Sequence, residues 1–233
     1  MLKKIKQFYK IFFLSKIIIF INCTVLSSEE ISFSDLNKRN NLYFYKDSDI
    51  PFEGVVEGKE SGAFINGKKN GLWKYYTFEG ILSYEETYIL GKEDGEYISY
   101  YEDGQVFTKG LFRDGKEFGK WLSFHKSGIV REEINFVAGE ENGSWNFFYE
   151  SGEIMSTGYF IDGKEEGVFK MFFLDGKISS VENFSKGLKD GVSQFYSERS
   201  ILLEESYYKM GVPTGMWKSF DINGNLLEIK NFN

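Results

Sequence analysis

Apolar and polar positions in this chain repeat with a fixed period of 24 residues from about residue 67 to the end. In one half of each unit an aromatic column runs through Trp73, Tyr97, Trp121, Trp145, Phe169 and Trp217, with Ser193 in the remaining copy. A second column follows three residues later, at Tyr76, Tyr100, Phe124, Phe148, Phe172, Tyr196 and Phe220. In the other half, an aliphatic position (Leu82, Val106, Val130, Ile154, Ile178, Leu202, Leu226) precedes an aromatic one (Tyr88, Phe112, Phe136, Phe160, Phe184, Tyr208, Phe232) by six residues. The positions midway between them hold Glu, Ser, Thr, Gly or Lys in most copies. Strand side chains alternate between faces, so an even spacing puts the aliphatic and aromatic residues on one face. The three-residue spacing puts the two aromatic columns on opposite faces of a regular strand. Either both faces bury rings, or a bulge restores the parity, and the glycine inside this strand predicts a local kink.

Glycine punctuates the pattern. The first of each repeat falls at Gly67, Gly91, Gly115, Gly139, Gly163, Gly187 and Gly211, and a second follows four residues behind. A third falls at Gly80, Gly104, Gly128, Gly152, Gly176 and Gly224, with Ser200 breaking the series. Pairs such as Asn66-Gly67, Asp103-Gly104 and Asn223-Gly224 suit two-residue hairpin turns, where both central residues have positive φ. Each repeat therefore reads as a β-hairpin with strands of about nine residues. The fold class expected is all-β: an elongated antiparallel sheet of tandem 24-residue hairpins. A period of this size signals a stacked array, in which each unit buries its apolar surface against its neighbours.

Outside the array the segments differ. Residues 1–22 carry Lys3, Lys4, Lys6, Lys10 and Lys16, no acidic residue, and an apolar run from Ile11 to Ile21. This reads as a signal peptide or lipoprotein signal. Cys23, the sole cysteine, follows directly and is a lipidation candidate resembling the lipobox cysteine of bacterial lipoproteins, although Phe20 and Asn22 depart from that pattern. Simple secretion and a retained anchor are the alternatives. Residues 23–41 are polar and read as a tether, 42–66 as a degenerate repeat capping the array, and 67–233 as seven repeats. An exported product, periplasmic or secreted or held at the membrane by lipid, is expected.

Charge narrows the partners. The chain has a formal net charge of −7, which becomes −12 once the five lysines of the export segment are removed. Such a surface repels phosphate backbones and anionic head groups, so nucleic acid is not an expected partner and membrane attachment is expected only through the amino terminus. With one cysteine and one histidine, a zinc site or a Cys-His nucleophilic pair lacks parts, so no metal, cofactor or catalytic residue is expected. His125 occupies a variable slot, filled elsewhere by Thr77, Tyr101, Tyr149, Phe173, Ser197 and Asp221, and reads as a surface substitution. The acidic pairs Glu85-Glu86, Glu132-Glu133, Glu140-Glu141, Glu165-Glu166 and Glu204-Glu205 read as solvated surface. Trp73, Trp121, Trp145 and Trp217 could line a groove for a peptide or glycan, or stack on their equivalents as the core of the array.

The pattern Gly-Lys-x-x-Gly-x-Trp, seen in Gly67-Lys68-Lys69-Asn70-Gly71-Leu72-Trp73 and Gly115-Lys116-Glu117-Phe118-Gly119-Lys120-Trp121, resembles the bacterial variant of the MORN repeat. It is similar in particular to the YwqK-type antitoxin family, including the Pro51-Phe52-x-Gly54 turn. The resemblance implies stacked hairpins without catalytic residues, and a role in protein binding, scaffolding or membrane tethering. The function expected is protein interaction or scaffolding at the bacterial cell envelope. The alternative is an antitoxin or immunity protein that covers a toxin partner. The last strand leaves an edge open to edge-to-edge homodimerisation.

Overall fold

The computed structural model describes residues 31–232. The signal segment expected at residues 1–22 and the lipidation candidate Cys23 lie outside the described residues. A one-turn 3-10 helix at Phe33–Asp35 leads into β1 (Leu36–Arg39) and β2 (Leu42–Tyr45), which pair as a separate two-stranded sheet. The main sheet begins with β3 (Gly54–Val56) and β4 (Glu60–Ile65). It continues through β5 (Lys68–Tyr76), β6 (Leu82–Ile89), β7 (Lys92–Tyr100), β8 (Val106–Arg113), β9 (Lys116–Phe124) and β10 (Val130–Val137). Next come β11 (Glu140–Glu141), β12 (Gly143–Phe148), β13 (Ile154–Ile161), β14 (Lys164–Glu165), β15 (Gly167–Phe172) and β16 (Ile178–Ser185). The last strands are β17 (Leu188–Tyr196), β18 (Leu202–Lys209), β19 (Val212–Phe220) and β20 (Leu226–Phe232). Every hairpin pairs antiparallel with the next, as the glycine spacing predicts. Among the described residues β20 is registered against β19 alone and no register joins it to β3, so the ladder has two ends.

The two turn types differ. The first-glycine turn is the expected two-residue loop: Asn66 (φ 49°) and Gly67 (φ 74°) both lie in the left-handed region. The third-glycine turn is wider than expected. Thr77 N–H donates to the Ile81 carbonyl and Gly80 N–H to the Thr77 carbonyl, both across Phe78–Gly80. Only the glycine has positive φ there, which is a three-residue loop built on a type I turn. Asp103, Ser127 and Asp175 thus need no left-handed backbone.

The kink expected at the second glycine is present. Between β4 and β5 the register passes from Ser61↔Lys74 to Ala63↔Asn70, leaving Gly71–Trp73 opposite the single residue Gly62. The same shift recurs where β7, β9, β17 and β19 meet the preceding strand, and where β11/β12 and β14/β15 break in two. It lies ahead of Trp73, and a second register shift falls between Tyr75 and Tyr76, inside the span that separates the two aromatic columns, recurring at Tyr100, Phe148, Phe172, Tyr196 and Phe220. Trp73 shares its face with Tyr75, Glu86 and Tyr88, while Lys74 and Glu85 form an ion pair on the other.

The described part of the segment expected as a tether, residues 31–41, is folded. Ser32 and Asp35 close a capping box around the 3-10 turn, and Glu57 N–H donates to the Ile31 carbonyl. Residues 42–45 pair with β1 rather than beginning a repeat, so the degenerate hairpin starts only at Gly54. Tyr43 N–H bonds the Gly67 carbonyl, and Gly67 N–H bonds the Phe52 carbonyl, fastening this cap to the first repeat turn. The buried core sits here: Leu36, Phe52, Val56, Phe64, Trp73, Tyr75 and Tyr88. Among the described residues, only this end of the sheet has a second layer of chain over it.

Candidate functional site: the aromatic face

One face of the main sheet collects the rings of the first aromatic column together with the aromatic residue of each returning strand. Trp73 is fully buried, because Phe33 of the cap meets it edge-on at 6.1 Å and Phe64 at 4.9 Å. It is closed to any partner. Trp121, Trp145 and Trp217 lie past the cap and are half-buried, with one side open.

The rings are not evenly spaced. Tyr97 and Trp121 approach to 5.4 Å, and Trp145 and Phe169 to 6.1 Å, both at about 30° between planes. Between the first two lies Gly110, paired in register with Tyr97; between the second two lies Gly158, paired with Trp145. A Cβ at Gly110 would stand 2.2 Å from the Trp121 ring, and one at Gly158 would stand 2.2 Å from Phe169. Missing side chains thus let two rings converge over one strand. Gly62, under Trp73, is the same position one double repeat earlier, and Ser206, under Trp217, one later. The alternate strands carry Glu86, Ile134 and Glu182 there, whose bulk separates one ring pair from the next. The working unit is therefore 48 residues, twice the sequence period. Gly62, Gly110 and Gly158 were missed in the sequence because the turn and bulge glycines masked them; their own 48-residue spacing was the signal.

Indole donors follow the same alternation. Trp73, Trp121 and Trp217 Nε1–H donate to the carbonyls of Ala63, Leu111 and Tyr207, at 3.1, 3.2 and 3.0 Å. Those carbonyls border the shifted register, where the ladder leaves acceptors free. Trp145 instead donates to Glu132 Oε1 at 2.8 Å.

Charge is distributed unequally between the faces. On the opposite face, lysines and glutamates neutralise one another across strands, as in Lys74–Glu85 (3.7 Å), Lys120–Glu133 (3.3 Å) and Lys218–Glu205 (3.2 Å). On the aromatic face Glu93, Glu117, Glu141 and Glu165 recur every 24 residues, each registered opposite a ring: Tyr88, Phe112, Phe136 and Phe160. Among the described residues none of the four makes an ion pair. Partial burial and the charge of Glu132 push the Glu141 carboxyl above the ordinary carboxylate range. Burial and then Glu182 do the same for Glu165, with Glu141 adding to the effect and Lys189 opposing it. Glu93, Glu117 and Glu141 are thus like charges without an ion-pair partner among the described residues, and among cations Glu165 feels only the nearby Lys189. Lys69 and Lys189 bracket the column, in the register positions before Glu93 and after Glu165.

Two clefts mark the faces. Trp145, Glu165, Phe169, Glu182 and Phe184 line one of about 190 Å³ on the aromatic face. A shallower one of about 300 Å³ on the reverse is lined by Ile98, Leu111 and Leu122 with Lys109 and Lys120. Among the described residues no group of three or more His, Cys, Asp or Glu side chains converges as metal ligands. His125 is not a free surface substitution. Its Nε2 lies 3.0 Å from the Phe148 carbonyl, the contact that Tyr101 and Tyr149 hydroxyls make with the Phe124 and Phe172 carbonyls at 2.6 and 2.7 Å. A carbonyl only accepts, so Nε2 carries the proton.

Three stretches, residues 93–114, 119–138 and 141–162, match the model of the MORN repeat variant. Over those stretches the chain is similar to the MORN repeat variant. The matched stretches hold Glu93, Tyr97, Trp121, Glu141 and Trp145, so the match falls on the open part of the aromatic face, beyond the cap. The MORN repeat variant is a non-catalytic module, and repeats of this kind serve protein or membrane interactions. No curated protein matches the chain.

Proposed function

We propose that this MORN-type chain is a non-enzymatic scaffold at the bacterial cell envelope, and that it takes up a protein partner on its aromatic face. The observation that carries the reading is the contrast along that face: its first station is sealed by the chain's own cap, and equivalent rings beyond it stand half-open beside unpaired carboxylates. Half-exposed aromatic rings supply contact area at little entropic cost, which makes them effective anchors in interfaces. The test places a photo-crosslinking residue at Phe147, on the aromatic face, or at Asn146, on the other, in cells producing the full chain. Protein adducts at position 147 and not at 146 are expected; their absence at 147 overturns the reading.

Envelope location rests on the lysine-rich apolar segment and Cys23. Fatty-acid labelling that vanishes in Cys23→Ala supports lipid anchoring, and an unlabelled, soluble exported product supports simple secretion. A second reading, an antitoxin or immunity protein covering a basic toxin, draws on the −12 charge of the chain without its export segment. Lethality of an encoded neighbour that is unchanged on co-expression eliminates it. The open β20 edge supports an edge-to-edge homodimer, checked by the mass in solution.

A further inference from the structure

The aromatic face carries a ruler. The carboxylates Glu93, Glu117, Glu141 and Glu165 occur once per hairpin, and two strands at ~4.8 Å set them ~9.6 Å apart along the sheet. A partner that neutralises them in series must present cations at that interval. An extended strand offers same-side residues every ~6.8 or ~13.6 Å and falls out of step at the first repeat. An α-helix offers ~10.5 Å over seven residues, drifting by ~2.7 Å across the four stations. A polyproline-II helix advances ~9.3 Å per three-residue turn, and its drift over the same distance is only ~1 Å.

The ring geometry agrees with this. Polyproline-II segments have no internal hydrogen bonds and dock by laying their apolar faces between aromatic side chains. Here each carboxylate is registered opposite a ring, so apolar and acidic contacts alternate along the direction such a segment would run. The sealed end of the face shows what chemistry these rings accept. The Lys69 ammonium, in the column position ahead of Glu93, lies 4.2 Å from the Trp73 ring centre, 4.9 Å from Tyr75, 5.2 Å from Phe33 and 5.5 Å from Tyr88. It also donates to Glu60 at 3.1 Å. A cation held between rings and a carboxylate is thus already part of the fold. From Glu93 to Glu165 the rings and carboxylates recur with no lysine or arginine in the column, and Lys189 closes it at the far end, 5.3 Å from the Tyr208 ring centre and paired with Glu182. The cleft walled by Trp145, Phe169 and Phe184, with Glu165 and the Lys189-paired Glu182 on its rim, is the last such station.

We propose that the stretch of the aromatic face from Glu93 to Glu165 binds a polyproline-II segment of a partner protein that carries lysine or arginine at every third residue. This rests on the reading of the face as a protein-docking surface and adds the partner's conformation and spacing. The test uses the full chain and a fluorescent peptide of four Pro-Pro-Lys triplets. Its comparators are an isomer of identical composition with the four lysines contiguous, and a helical peptide with lysines seven apart.

Binding of the triplet peptide about tenfold tighter than either comparator at physiological salt is expected. Glu117→Gln with Glu141→Gln should weaken it by a similar factor, whereas Glu133→Gln on the opposite face should leave it unchanged. Equal binding of the two isomers, or tighter binding of the helical peptide, overturns the spacing. Failure of all three peptides while Phe147 still crosslinks to a protein overturns this inference and leaves the docking surface standing. Failure of both removes the docking surface as well.

Discussion

Replacing Gly110 with alanine tests whether the 48-residue unit is real. Gly110 has no positive φ, so alanine suits its backbone, and in open space the change would stabilise by ~0.4–1 kcal/mol through a less flexible unfolded chain. The added Cβ, however, stands 2.2, 2.3 and 2.5 Å from three atoms of the Trp121 indole. The ring has to lift, at the ~1–3 kcal/mol typical of overpacking. Lifting also stretches the 3.2 Å bond from Nε1 to the Leu111 carbonyl, worth ~0.5–1.5 kcal/mol. The net expectation is a loss of ~1–3 kcal/mol in wild type and a gain of a few tenths to ~1 kcal/mol in a Trp121→Ala background. Urea unfolding followed by far-ultraviolet circular dichroism reads both without relying on the tryptophan that is removed. A double-mutant cycle then isolates the coupling. An equal cost of Gly110→Ala with and without the indole would refute the argument, since steric conflict with Trp121 is its whole basis.

Other consequences can be checked on the same protein. Ser200 sits at φ 60° where other repeats have glycine, and Ser200→Gly should stabilise by roughly 0.5–1 kcal/mol in the same urea assay, since only glycine enters that region without a Cβ penalty. His125→Tyr should be near neutral, because Tyr101 and Tyr149 bond the next repeat from that slot, whereas His125→Ala should cost ~0.5–1.5 kcal/mol. The raised Glu141 and Glu165 carboxyls bind protons more tightly in the folded than in the unfolded chain. Their contribution to stability therefore grows as pH falls from neutrality through those raised values, and is complete below the ordinary carboxylate pKa. Glu205, held low first by the Gln194 hydrogen bond and also by Lys218, opposes this only at lower pH. Thermal unfolding at pH 7 and pH 5 should show Glu141→Gln with Glu165→Gln raising the midpoint at pH 7 and shrinking the gain on acidification.

The hairpin array was legible from the sequence alone because its determinants are local. A turn needs particular residues at its centre, and a strand needs alternation over a few positions; both repeat every 24 residues. The bulge was legible for the same reason, as a glycine inside a strand. What the sequence could not settle was which aromatic column shares a face with which carboxylates, since a register shift at Gly71 and its equivalents intervenes between neighbouring strands. Nor could it separate Trp73 from Trp121, which have the same local pattern. Only tertiary structure brings Phe33 and Phe64 onto the first ring and leaves the other half-open. The fate of Trp73 depends on contacts with residues up to forty positions away. The 48-residue unit likewise exists only once Gly110 is seen lying beneath Trp121, because a glycine in a strand has no meaning until the ring that fills its space is in place.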